Sequence, residues 1–243
     1  MAMDWMAKAR AGVKAPETVA PKGTASKSGP SFGTSSAVAA TSANVRPSNG
    51  LKEFLWLISD LKEGRILDLG PAFQTTVMFF IEKGFRLSTE DMLRSWKEFI
   101  TAEEESLRSR TVGREAVPVS QALLAEKFLE TSLQYPEDHF NGILAWDLFD
   151  YLDGELLPRV MDRLYSLLAP GGSVLSIFHS KPPDRYTRYK IVDAQNIEIV
   201  PASTVAVHAR IFQNREILDI FGKFRSSKTF VGRNQVREGL FLK

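Results

Sequence analysis

A short apolar strand that breaks on a glycine constrains this chain most. RILDLG (Arg65–Gly70) is followed by TTVMFFIEKG, an apolar segment of helical length closed by Gly84, and then by FRLSTED, a second strand-like run ending on acids. Strand, glycine turn, helix and strand in that order make a βαβ unit, whose parallel strands need a sheet covered on both faces. The same alternation runs on. Met92–Arg110 reads as a charged helix, with a further helix near Val119–Lys127 and a third strand in Phe128–Leu133. A fourth strand at Gly142–Trp146 meets Asp147, and the helix LLPRVMDRLYSLLAPGG turns through Pro-Gly-Gly into the strand SVLSIF. Extended YKIVDAQNIEIVPA, a helix around Arg215–Phe224, and strands near Ser227–Val231 and Arg237–Leu242 joined by GRNQ complete the pattern, the last pair as a hairpin. The expectation is a doubly wound, mostly parallel α/β sheet of seven strands with a C-terminal antiparallel hairpin.

Order begins at Leu51, where LKEFLWLISDLKEG carries Leu51, Phe54, Leu55, Ile58 and Leu61 at helical spacing. Residues 1–50 differ: from Ala15 to Gly50 the chain is mostly Ala, Ser, Thr, Pro, Gly and Lys, with Phe32 the only aromatic. Such a segment buries too little apolar surface to offset the entropy of ordering, which predicts a disordered tail ahead of a single domain over 51–243. The chain lacks cysteine, which excludes disulfides, thiolate nucleophiles and cysteine-ligated metals. With no apolar run near the roughly 20 residues of a bilayer span and no secretory h-region, the expected setting is cytoplasmic, with no membrane partner. A net charge of +2 hides +4 over residues 1–50, −8 over 51–180 and +6 over 181–243. The basic final quarter could face an anionic substrate or nucleic acid, or be a solvated surface complementing the acidic half; it lacks the interleaved aromatics or named module of a nucleic-acid reader.

In a doubly wound sheet, ligands bind outside the carboxyl ends of the strands where the strand order reverses. That directs attention to Asp68–Gln74, Glu90–Asp91, Glu130–Ser132, Asp147–Asp150 and His179–Ser180. Gly70 lets the backbone approach a ligand closely, and a carboxylate at Glu90 or Asp91 can accept from paired hydroxyls. Asp147 suits either a polar active-site role or capping of the next helix, and His179 has the intrinsic pKa of a general base. No residues show metal-ligand spacing, so no metal is expected. The phosphate loop, the nucleophile elbow and the dinucleotide fingerprint GxGxxG are absent.

ILDLGPAFQTT resembles the first motif of class I S-adenosylmethionine-dependent methyltransferases. Glu90, 22 residues after Asp68, sits where that family keeps a ribose-binding acid. YPEDHFNGILAWDLFDYL resembles its fourth motif and LLAPGGSVL the turn before its fifth strand. The closing hairpin resembles the addition that separates this sheet from the dehydrogenase type. The resemblance spans roughly residues 51–243 and implies a Rossmann-like domain that takes S-adenosylmethionine as a small-molecule cofactor and methylates an acceptor it does not specify. It also implies cofactor contacts from Asp68, Gly70, Pro71, Ala72, Glu90, Asp91, Thr131 and Asp147, and catalytic roles for Asp147 and His179. The sequence departs from the family at Ala72 and Gln74, where glycines are usual, and at Asn141, where an Asp is usual. A non-catalytic interaction module on the same scaffold is the alternative, and a nicotinamide-dependent oxidoreductase a more distant one.

Overall fold

In a computed structural model of the chain, which describes residues 44–110, 120–152, 154–232 and 236–243, the strand ending at Asp68 lies inside a six-stranded sheet. In chain order the elements are β1 (Val45–Pro47), α1 (Asn49–Leu57), β2 (Gly64–Asp68), α2 (Gln74–Glu82), β3 (Phe85–Thr89), α3 (Met92–Arg110) and α4 (Gln121–Thr131). They continue with β4 (Phe140–Trp146), a 3-10 turn (Leu148–Tyr151), α5 (Leu156–Leu167), β5 (Leu168–His179), β6 (Thr187–Ile191) and β7 (Asn196–Pro201). The last are α6 (Asn214–Ile220), β8 (Ser226–Val231) and β9 (Val236–Leu242).

The sheet order is β3-β2-β4-β5-β9-β8. Strands β3, β2, β4 and β5 run parallel, whereas β9 pairs antiparallel with both β5 and β8. Because β2 feeds β3 on one side while β4 lies on its other side, the reversal of strand order falls between β2 and β4. A second, three-stranded antiparallel sheet has the order β1-β7-β6.

Strand periodicity sends alternate residues to opposite faces, and two cores result. Ile66, Leu144, Leu175, Ile177 and Leu240 pack with Leu51 and Phe54 of α1 and Phe80 of α2. Leu67, Ile143, Ala145, Val174, Phe178 and Phe241 pack with α3, α4 and α5 on the other face. Gly142 is required here, because a Cβ at that position would run into the ring of Phe54.

Three expectations are corrected. The third strand read at Phe128–Leu133 is the end of α4 and the bend after it, so among the described residues the large sheet has six strands and not seven. Ser120 starts that helix by accepting the Leu123 N–H at 3.1 Å, and its buried face, Ala125 and Phe128, repeats at helical spacing. Order also starts before Leu51: β1 and the first turn of α1, with Ser48 capping Leu51, occupy residues 45–50. Finally, Pro170-Gly171-Gly172 is not a turn between helix and strand but a bulge inside β5, with Gly171 at φ +78. The rest of the proposed tail (1–43), the linker 111–119 and residues 233–235 of the GRNQ loop lie outside the described residues.

Arg46 and Glu238 join the two sheets. The guanidinium of Arg46 on β1 lies 3.3 Å from the Glu238 carboxylate on β9, and Glu238 also accepts the Gly50 N–H at 2.7 Å. Both side chains are buried. Strand β6 is fastened to α2 separately, by the Ile191 N–H donating to Thr76 Oγ1 at 2.9 Å.

Candidate functional site

The carboxyl ends of β2 and β4 form the crevice that a doubly wound sheet offers to ligands. At its floor Asp68 Oδ1 accepts the Gly70 N–H at 2.9 Å, which bends the chain off the end of β2. The same oxygen accepts the Trp146 indole N–H at 2.6 Å. Trp146 stands at φ +49, in the left-handed region, where a bulky residue is strained. The register between β4 and β5 shifts at this point, and Ser176 Oγ holds the strained residue by donating to its carbonyl at 2.9 Å. The turn swings the indole back over Gly70, where an added Cβ would sit 3.0 Å from the ring. Burial pushes the Asp68 carboxyl up to about 6, against the two hydrogen bonds it accepts.

The small sheet closes the crevice from above. Tyr189 stacks on Trp146 with centroids 5.8 Å apart, and Arg188 reaches Asp91 at 2.7 Å. Asp91 also caps α3, accepting the Arg94 N–H at 3.3 Å. Glu90 Oε2 accepts the Leu133 N–H at 3.2 Å. Around Gly70, Pro71, Trp146 and Asp147 a cavity of only about 10 Å³ remains, room for roughly one water. A nucleoside needs several hundred Å³, so the adenosyl group does not fit this arrangement, and Asp68, Glu90 and Asp91 already have internal partners.

The sequence-derived residues therefore divide. Asp68, Gly70, Pro71, Glu90, Asp91 and Asp147 do gather at one rim, whereas Ala72 is exposed on the turn leading to α2. Thr131 is corrected: it is exposed at the end of α4 with its hydroxyl on the Phe128 carbonyl, because the strand meant to carry it to the rim is absent. Asn141 has a local task, accepting the Arg65 N–H at 2.9 Å to tie β4 to β2. Asp147 opens the 3-10 turn without capping it through its side chain. Its Oδ2 is buried without a hydrogen-bond partner among the described residues, and burial pushes its carboxyl up to about 7, with Asp150 adding to the effect and His179 opposing it.

Behind Asp147 lies a cluster of which the sequence pointed to Asp150 and His179 but not to His208 or to their convergence. Asp150, fully buried, receives both the main-chain N–H of His179 at 2.7 Å and the His179 ring Nδ1 at 2.9 Å. His208 Nε2 stands 3.6 Å from the same carboxylate oxygen. Tyr189 Oη faces the far side of the His179 ring, Nε2, at 3.4 Å. Asp150 and His208 are 58 positions apart in the sequence, on a 3-10 turn and in an irregular segment, so spacing gave no signal.

Strand order, the reversal between β2 and β4, and the antiparallel β9 set between β5 and β8 make this a class I methyltransferase-type α/β fold, with one strand fewer than expected among the described residues. No family model and no curated protein matches the sequence. Among solved structures, the chain is similar to the 1,6-didemethyltoxoflavin N1-methyltransferase of Burkholderia thailandensis, solved with 1,6-didemethyltoxoflavin and S-adenosylhomocysteine. Identity is 16%, over 80% of this chain and 78% of that one, at a TM-score of 0.41. It is also similar to S-adenosylmethionine-dependent methyltransferases from Archaeoglobus fulgidus (13% identity, 79% and 93% covered, TM-score 0.43) and Aquifex aeolicus (13%, 79% and 88%, 0.40). No helix among the described residues is long and apolar enough to cross a membrane.

Proposed function

We propose that the chain is an S-adenosylmethionine-dependent methyltransferase whose nucleoside site is closed in this conformation and opens when Trp146 leaves Gly70. The observation that carries the reading is the placement of Asp68, Glu90, Asp91 and Asp147 at the reversal point of a sheet that has β9 antiparallel. In the open form Gly70, Pro71 and Ala72 line the turn, Glu90 or Asp91 meets the sugar, and Asp68 and Asp147 face the rest of the cofactor. His179, oriented by Asp150, is the group suited to hold a proton from the acceptor. The acceptor class stays unassigned, and a cytoplasmic setting belongs to this reading.

Calorimetry of the full chain and of Trp146→Ala with S-adenosylhomocysteine tests it. Binding by the variant, with weaker binding by the parent chain, supports a latched site. A second reading has its own observation: the indole, Arg188 and Tyr189 fill the crevice as a packed core does. On that reading the chain is a non-catalytic module on the same scaffold, and neither protein binds.

A further inference from the structure

We propose that Asp150, His179 and His208 form a binding site for one divalent transition metal ion of the zinc class; when the ion is bound His179 is a ligand and does not take the acceptor's proton. The chain has three histidines, and two of them converge on one buried carboxylate. One ligand atom from each of the three residues lies within 4.8 Å of the others. Tetrahedral coordination by nitrogen and oxygen at about 2.0–2.1 Å places ligand atoms roughly 3.3 Å apart. The observed separations of 2.9 Å (His179 Nδ1 to Asp150 Oδ2) and 3.6 Å (His208 Nε2 to Asp150 Oδ2) bracket that value.

Unsatisfied groups supply the second, independent observation. Asp150 Oδ1 and His208 Nε2 are buried with no hydrogen-bond partner among the described residues, although Asp150 is fully buried. A buried carboxylate oxygen and a buried imidazole nitrogen left unpaired are costly, and a cation on His208 Nε2 that is chelated by both Asp150 oxygens would satisfy both.

Main-chain bonds, moreover, hold the three residues before any ion arrives. The His179 N–H is fixed on Asp150, and the Asp150 carbonyl accepts the amides of Ala209 and Arg210 at 2.8 and 3.3 Å, fastening the His208 segment. With Nδ1 of His179 on the metal, its Nε2–H faces the Tyr189 hydroxyl, the outer contact that fixes a metal-bound imidazole. Two imidazoles and one carboxylate, with no thiolate in the chain, favour zinc, cobalt or iron(II) over calcium or magnesium. Three protein ligands leave a position open for water or a small anionic ligand.

The test uses the full, untagged chain stripped with a chelator and titrated with Co²⁺, whose visible absorption reports coordination, and then with Zn²⁺ in competition. One ion per chain is expected, with a melting temperature that rises with free metal. His208→Ala and Asp150→Asn are each expected to weaken binding about 100-fold or more, while His139→Ala leaves it unchanged. His208→Gln, which keeps the side-chain volume more nearly, repeats the test if the alanine variant does not fold. Absence of saturable binding by the parent chain, or unchanged affinity in a folded His208 variant, overturns the proposal.

Discussion

Trp146 donates its indole N–H to Asp68 across 2.6 Å, and that one bond joins the ends of the two strands between which a ligand would enter. The strained φ of Trp146, its stacking on Tyr189 and its approach to Gly70 all serve this closure. Truncation to Trp146→Ala should therefore have two opposed effects. Stability should fall by about 3–5 kcal/mol through the cavity created, measured by urea unfolding. Affinity for S-adenosylhomocysteine should rise, measured by calorimetry; a folded variant with no gain would mean that the crevice is not a latched ligand site.

Asp68 sets a pH dependence. Its folded-state pKa, about 6, lies above the ordinary value of 3.8, so the folded protein holds this proton more tightly than the unfolded chain does. The resulting stabilisation is fully present below about pH 4 and is lost as pH climbs through 6, amounting to about 3 kcal/mol. Asp68→Asn keeps an acceptor for Trp146 and Gly70 but removes the titration. Relative to the parent chain it should gain stability between pH 4 and 7 in paired denaturation curves, and a constant difference across that range would refute the assignment.

The Arg46–Glu238 pair is buried, so removing either partner strands a charge. Arg46→Ala should cost about 3–5 kcal/mol. Glu238→Ala should cost more, since it also strips the Gly50 N–H of its acceptor. Replacing the pair together by Met and Leu should recover most of the loss. Equilibrium unfolding of the three variants checks the ordering.

Thr76→Val should cost about 1–3 kcal/mol by leaving the buried Ile191 N–H without a partner. Because that bond fastens β6 to α2, hydrogen exchange at Tyr189 and Ile191 should accelerate more than exchange in β4. Uniform acceleration across both sheets would show that the bond stabilises the molecule as a whole rather than the cover of the crevice.

The parts of this structure legible in the sequence are those encoded locally. The strand at Ile66–Asp68, the helix at Met92–Arg110 and the closing hairpin follow from periodicity and glycine placement, and the strands ending at Asp68, Thr89 and Trp146 bring Asp68, Glu90, Asp91 and Asp147 to one rim. Phe128–Leu133 reads as a strand from the alternation of elements, whereas the helix capped by Ser120 runs on to Thr131. YKIVDAQNIEIVPA reads as one extended stretch, whereas Asp193 folds it into a hairpin by accepting the Gln195 and Asn196 amides. What the sequence does not carry is tertiary: the closure by Trp146, the reach of Arg188 to Asp91 and the approach of His208 to Asp150. Their roles depend on which backbone a strained φ or a distant carbonyl turns towards them.

The position of β9 between β5 and β8 has a consequence for synthesis of the chain. A nascent polypeptide extended only as far as β8 holds β5 as a bare edge and has no strand on which β8 can add. Until Val236–Leu242 has emerged and paired, that edge is open to other molecules, which makes the interval before β9 docks the stage at which chaperone protection matters most.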